Sequence, residues 1–174
     1  PELELCYTCQ FNLFFRDNDG TQIFNTTTTD GSGQTGLSAF DFFGDGEVEI
    51  VYRDESTLRV FDGSGALLGS TVCGSNTWTE TPTIGDVDGD GKTEIVCSCK
   101  SGSSGQFRAF TSSTIDWFES TPVWNQHGYH VTNINTDLSV PIEKQNNAVE
   151  YSSTICTPGI NRPFNNFLQQ TAAL

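Results

Sequence analysis

Residues Asp86 to Glu94 read Asp-Val-Asp-Gly-Asp-Gly-Lys-Thr-Glu, a run whose side chains can close around a hard cation. Calcium takes roughly six to eight oxygen ligands at about 2.3–2.6 Å. Asp86, Asp88 and Asp90 alternate, so three carboxylates turn inward as the chain curls. Gly91 permits the sharp bend that a Cβ would obstruct. Lys92 can offer its backbone carbonyl, and Glu94 closes the shell. Four carboxylates this close repel one another without a cation, so the spacing predicts a loop ordered by calcium. An EF-hand is excluded. Its bidentate acid would fall on Cys97, and Glu94-Ile-Val-Cys-Ser-Cys99 alternates as a strand rather than a helix.

A second acidic run, Asp41-Phe-Phe-Gly-Asp-Gly-Glu-Val-Glu49, aligns with the first without gaps at an offset of 45 residues. It keeps Asp41, Asp45, Gly46 and Glu49 and places Glu47 at the carbonyl position, but Phe43 stands where the second Asp would be. One ligand is lost. The run is then either a weaker metal site or a turn that preserves strand geometry without metal.

The elements that must position these loops are strands. Phe11–Phe15 and Thr21–Asn25 flank Asp17-Asn-Asp-Gly20, a hairpin signal. Thr57–Phe61 and Ala66–Leu68 flank Asp62-Gly-Ser-Gly65, and Gln106–Phe110 and Ile115–Phe118 flank Thr111–Thr114. Arg59-Val-Phe61 and Arg108-Ala-Phe110 correspond in the two copies, so the repeat is about 45 residues, the size of a propeller blade. Two to three incomplete blades follow: a hairpin and a Thr/Gly-rich exposed linker over 1–36, two repeats over 37–120, and a C-terminal extension over 121–174. In the extension, Val131–Val140 reads as one or two strands and Asn165–Gln170 as a short helix or turn.

The acidic loop entering a Glu-Ile-Val strand resembles the FG-GAP/VCBS repeat of integrin-like β-propellers. Gly85–Val96 fits that pattern closely, and Phe40–Val51 fits except at Phe43. Pro122–His130, Asn133–Asp137 and Asn165–Gln169 are similar to segments that follow such repeats in large secreted surface proteins of Bacteroidetes. The resemblance implies an all-β protein with calcium-stabilised blades, an extracellular location, and adhesion or carbohydrate contact. It implies no single activity.

Composition fits that class. Eight basic residues against 22 acidic ones leave a net charge of −14, which argues against nucleic-acid binding. The acidity suits bound cations, or simply solubility. Six cysteines read mostly as disulfides of an oxidising compartment, with 15 pairings open. Cys6-Tyr-Thr-Cys9 could instead be redox-active or half of a zinc site, but no second such pair and no βαβ pattern accompanies it. Cys97 and Cys99 share a strand face, which favours bonds to other residues. No apolar run approaches the ~20 residues of a membrane span.

Catalytic constellations are sparse. His127 and His130 could share a metal on a helix, but packing or surface hydrogen bonding suits them better. No Gly-x-Ser-x-Gly elbow occurs. Trp78, Trp117, Trp124, Tyr129 and Tyr151 could stack on sugars, although packing is the simpler use of Trp117 and Trp124. Asn25-Thr-Thr is an N-glycosylation sequon. The sequence therefore predicts a non-enzymatic, calcium-binding structural or adhesion module that self-associates, with a filament as one form of that, or joins further domains of a surface protein. A carbohydrate-binding module and a fragment of a propeller-type polysaccharide-degrading enzyme are the alternatives.

Overall fold

The computed structural model of the chain describes residues 5–17, 19–75, 80–101, 104–129, 133–135, 137–142, 150–152, 161–163 and 170. Strands β1 (Leu5–Cys9), β2 (Asn12–Arg16) and β3 (Gln22–Thr27) form a first antiparallel sheet in that order. Strands β4 (Leu37–Phe40), β5 (Glu49–Arg53), β6 (Thr57–Phe61) and β7 (Leu67–Val72) form a second. In the third, β9 (Glu94–Ser101) lies between β8 (Thr83–Gly85) and β10 (Ser104–Phe110). A ribbon pairs β11 (Glu150–Ser152) with β12 (Asn161–Pro163). The described residues contain no helix.

Side chains alternate across a strand, so β5 has one residue set for each neighbour. Tyr52 joins Leu13 and Phe15 of the first sheet and Phe61 in one buried cluster. Val51, one residue earlier, joins Leu58 with Ile84, Ile95 and Cys97 of the third sheet in another. Strands β5 and β6 are thus covered on both faces while β7 stays exposed, and the three sheets stack in chain order. Strands β4 and β8 run beside each other, and Ser38 Oγ donates to Pro82 O across the gap.

The 45-residue repeat holds in register. Val51 pairs with Val60 as Val96 pairs with Ala109. The first two hairpins form as their turns predict. The third differs: β10 pairs back with β9, and Ile115–Phe118 is not a strand. Trp117 instead packs on Phe42 at 4.6 Å between ring centroids, and Phe118 N donates to Phe42 O at 2.8 Å. Burial of two aromatics outweighs strand pairing there. The Cys6-Tyr-Thr-Cys9 run lies on strand β1, paired with β2, an element outside the hairpins expected above. Leu138, at φ 68°, closes a turn in which Asn135 N donates to Ser139 O, so the described part of 131–140 is a loop rather than strands.

The expected exposed linker is also corrected. Asp30 is 1% exposed, and Thr28 and Thr35 are buried. Asp30 Oδ1 accepts from Ser32 N, Ser32 Oγ and Gly33 N, and Phe11 N donates to Asp30 O. Short-range carboxylate turns convert a Gly- and Thr-rich stretch into fixed structure.

Of the described cysteines, Cys73 and Cys99 form a disulfide, while Cys6, Cys9 and Cys97 are free thiols. The expectation of mostly disulfides is corrected: Cys99 bonds to Cys73 and not to Cys97, as their shared face favours, but Cys97 has no disulfide partner. Burial pushes the Cys6 and Cys97 thiols up to about 12, which suits packing and not redox or metal chemistry. Cys156 lies outside the described residues.

Two polar hubs lock the stack. Gln170 is buried, and its Nε2 donates to Ile84 O, Thr121 O and Val123 O while its Oε1 accepts from Thr121 Oγ1 and Tyr129 OH. Its backbone N reaches Ala39 O at 3.0 Å. Asp54, with a fully buried side chain, accepts from Thr29 N, Ser56 N and Thr57 N and pairs with Arg59. Burial raises its pKa, but the bonds from Thr29, Arg59, Ser56 and Thr57 override that and hold it at about 2.

Two predictions follow from the hubs. A pKa depressed from 3.8 to about 2 stabilises the fold fully above the unfolded value and loses that stabilisation as pH falls through the folded one. Acid melts should therefore show a loss between about pH 4 and 2 that Asp54→Asn lacks, and Asp54→Ala should cost about 3 kcal/mol in urea unfolding at pH 7. Gln170→Leu leaves three carbonyls short of a donor and should cost about 2 kcal/mol by the same measurement.

Candidate metal centre

Both acidic runs fold into the same turn. At the first position, Asp86 takes Gly89 N at 2.7 Å and Gly91 N at 3.1 Å, and Asp41 takes Asp45 N at 3.1 Å and Gly46 N at 2.8 Å. At the fifth, Asp90 accepts from Lys92 N and Asp45 from Glu47 N. At the ninth, Glu94 accepts from Val87 N at 3.1 Å and Glu49 from Phe42 N at 2.8 Å. The ninth residue opens the strand and its carboxylate reaches back to the loop's second residue, so loop and strand fix each other.

The turn needs left-handed backbone twice. Gly89 and Gly91 sit at φ 79° and 84°, and Gly44 and Gly46 at φ 68° and 88°. Only glycine takes this region without steric cost. Sequence reasoning found the sixth-position glycine and missed the fourth, although Gly89 and Gly44 stand in matching places.

The two loops differ in what converges. One oxygen each from Asp86, Asp88 and Glu94 lies within 4.8 Å of the others. Among the described residues this is the one such group of three or more His, Cys, Asp or Glu. Asp90 is outside it and spends an oxygen on Lys92 N. The Lys92 ammonium points elsewhere, to Asp116 Oδ1 at 2.7 Å. The first loop assembles no trio, because Phe43 is 41% exposed where the second acid would stand. Asp41, Asp45 and Glu49 there serve the turn, and Glu47 is exposed.

Electrostatics marks both ninth positions. Burial raises the Glu94 pKa, Val87 N opposes this, and Asp88, Asp90 and Asp86 push it further up. Burial likewise carries Glu49 to about 7 against the bond from Phe42 N, with Asp41 and Asp45 adding to the rise. A positive charge would relieve this repulsion. The donor set is all oxygen, preorganised by backbone N–H groups, and it fits a hard divalent cation such as calcium better than zinc. Asp86, Asp88 and Glu94 would hold it.

Beside the second loop runs an open groove of about 590 Å³, lined by Asp86, Asp88, Thr83, Val96, Pro122 and Trp124. Trp124 packs on Tyr129 at 5.1 Å and against the core, so packing is one of its uses. His127 lines a smaller neighbouring groove. His130 and Trp78 lie outside the described residues, as does the Tyr151 side chain. Asn25 is exposed on β3.

Residues 41–97 match the family model for the FG-GAP-like repeat. The matched stretch begins at the first acidic loop and ends within β9, so the match spans the two turns described above. No curated protein sequence matches the chain. Among solved structures, the chain is similar to the V. cholerae biofilm matrix protein Bap1, with a TM-score of 0.74 at 20% identity. The alignment covers 98% of this chain and 28% of that one, so the chain spans about a quarter of its structural relative. The likeness is one of fold.

Gly91→Ala should destabilise the second turn, since a Cβ there meets open space yet sits at φ 84°. About 1–2 kcal/mol of strain is the expected cost in thermal or urea unfolding. Gly46→Ala should cost the same, because the turn is the same.

Proposed function

We propose that this protein is an extracellular structural or adhesion module whose second acidic loop is pinned by calcium, and which acts by assembling with further copies rather than by catalysis. The convergence of Asp86, Asp88 and Glu94 carries the reading. A cation held there would offset the mutual repulsion of these acids. Through the Glu94 contact to Val87 N it would tighten the turn that launches β9, the central strand of the third sheet.

Four further observations bear on the setting. The Cys73–Cys99 disulfide suits an oxidising compartment. The fold is shared with a biofilm matrix protein. No helix among the described residues is long and apolar enough to cross a membrane, which leaves strands out of account. A net charge of −14 favours divalent cations and disfavours nucleic acid.

The groove beside Trp124 favours a second reading, a carbohydrate contact in which an indole edge and the acids Asp86 and Asp88 meet a sugar. Loss of glycan-array signal in Trp124→Ala, with the fold intact by circular dichroism, would support it. Silence of the folded wild type would remove it.

Calorimetric titration tests the main reading. The wild type should bind calcium with one dominant site and gain melting temperature. Asp88→Ala should abolish both effects, because Asp88 makes only one loop bond, to Asp90 N, and its loss removes a ligand more than a turn. Asp45→Ala, in the loop without a trio, should leave the titration unchanged. Absence of binding in the wild type would reduce the acidic runs to turns.

A further inference from the structure

The repeat makes each sheet position comparable with the next, and one position breaks ranks. Leu13 pairs with Thr8, Leu58 with Arg53 and Phe107 with Ser98. These are equivalent sites on the second strand of the hairpin in each sheet. Leu13 is 0% exposed because the second sheet covers it, and Leu58 is 3% exposed because the third sheet covers it. Phe107 is 86% exposed. It presents a larger apolar side chain than either, on the face of the third sheet that follows in the stacking order. On that same face, nearer β8, Pro122 and Trp124 line a groove over Thr83 and Val96, so the open part of the face is the β10 side, around Phe107.

The opposite end of the stack carries the complementary surface. Tyr7 stands at the position of Tyr52, and Leu5 at that of Ile50. In the second sheet, Tyr52 is 0% exposed and Ile50 packs beside it against the first sheet. In the first sheet, the same face looks outward: Leu5 is 54% exposed, and Tyr7 stacks on Phe14 at 5.3 Å. Each interface inside the chain therefore joins a following face, anchored by Leu13 or Leu58, to a preceding face. Among the described residues, Phe107 on the one kind of face and Leu5 on the other stay exposed.

We propose that the third sheet of one copy receives the first sheet of a second copy, with Phe107 as the anchor against Leu5 and Tyr7. The contact continues an interface that the chain already makes twice. It is head-to-tail, so it propagates until it closes a ring or runs on as a filament. This rests on the assembly part of the function proposed above and names the surfaces that carry it. The calcium part stands apart.

Sedimentation velocity over a wide concentration range, in calcium and about 150 mM salt to screen the charge of each copy, reads the assembly. The wild type should rise above the monomer mass of 19.0 kDa as concentration increases. Phe107→Asp and Leu5→Asp, both at exposed sites, should keep wild-type melting curves and stay at 19.0 kDa. An equimolar mixture of the two variants should form a dimer and stop there, because one intact face of each remains. Assembly that survives Phe107→Asp would overturn these surfaces and leave self-association standing. A wild type that stays monomeric would overturn both. Variants that are monomeric alone and in mixture would overturn the head-to-tail pairing.

Discussion

Strand β5 has no face of its own for water, and the rest of the molecule follows from that. Residues one step apart on β5 must satisfy different neighbours, Tyr52 the first sheet and Val51 the third. A register slip by one residue would exchange the two sets and ruin both clusters at once. Register is therefore fixed from two sides, and the acidic turns inherit that accuracy. Glu49 and Glu94 open their central strands, so a carboxylate that reaches back to the loop is placed by the packing of the sheet beyond it.

Two copies of one turn separate roles that sequence alone merges. The Asp-to-amide bonds and the left-handed glycines recur in both loops, so the same turn forms with and without the acid at the third position. What the second loop adds is Asp88, and with it a trio of carboxylate oxygens. The repeat thus supplies its own internal control, in which one member keeps the architecture and, among the described residues, only the other brings three carboxylates together.

Much of this was legible in the residues. Alternating apolar patterns with Asp-Gly turns gave two of the hairpins, and the offset of the acidic runs gave the repeat. The illegible parts share a physical cause, which is that partners distant in sequence decide them. Trp117 and Phe118 carry strand-like chemistry yet leave the sheet to bury against Phe42. The stretch around Asp30 has a linker's composition, but carboxylate turns and the amides of Phe11 and Gly33 hold it. The Asp-x-Ser triplets at Asp30, Asp54 and Asp62 all make the same turn, and only the last was read, because glycines flanked it in a hairpin. Asp90 belongs to the ligand pattern by spacing, while in space its Oδ1 accepts from Lys92 N and the oxygens that converge are those of Asp86, Asp88 and Glu94.

Gln170 carries a consequence for the order of events as the chain is made. Its side chain closes bonds to Ile84, 86 residues earlier, and its backbone reaches β4 beyond that. Hairpins such as β5–β6 are local and can form as soon as they are synthesised, whereas contacts of long sequence separation cost loop-closure entropy and come late. The inner edges of β4 and β8 must therefore wait for residue 170 before their carbonyls find a donor. A chain halted short of it would hold folded sheets with an unsealed rim, the kind of intermediate that pairs with the wrong neighbour.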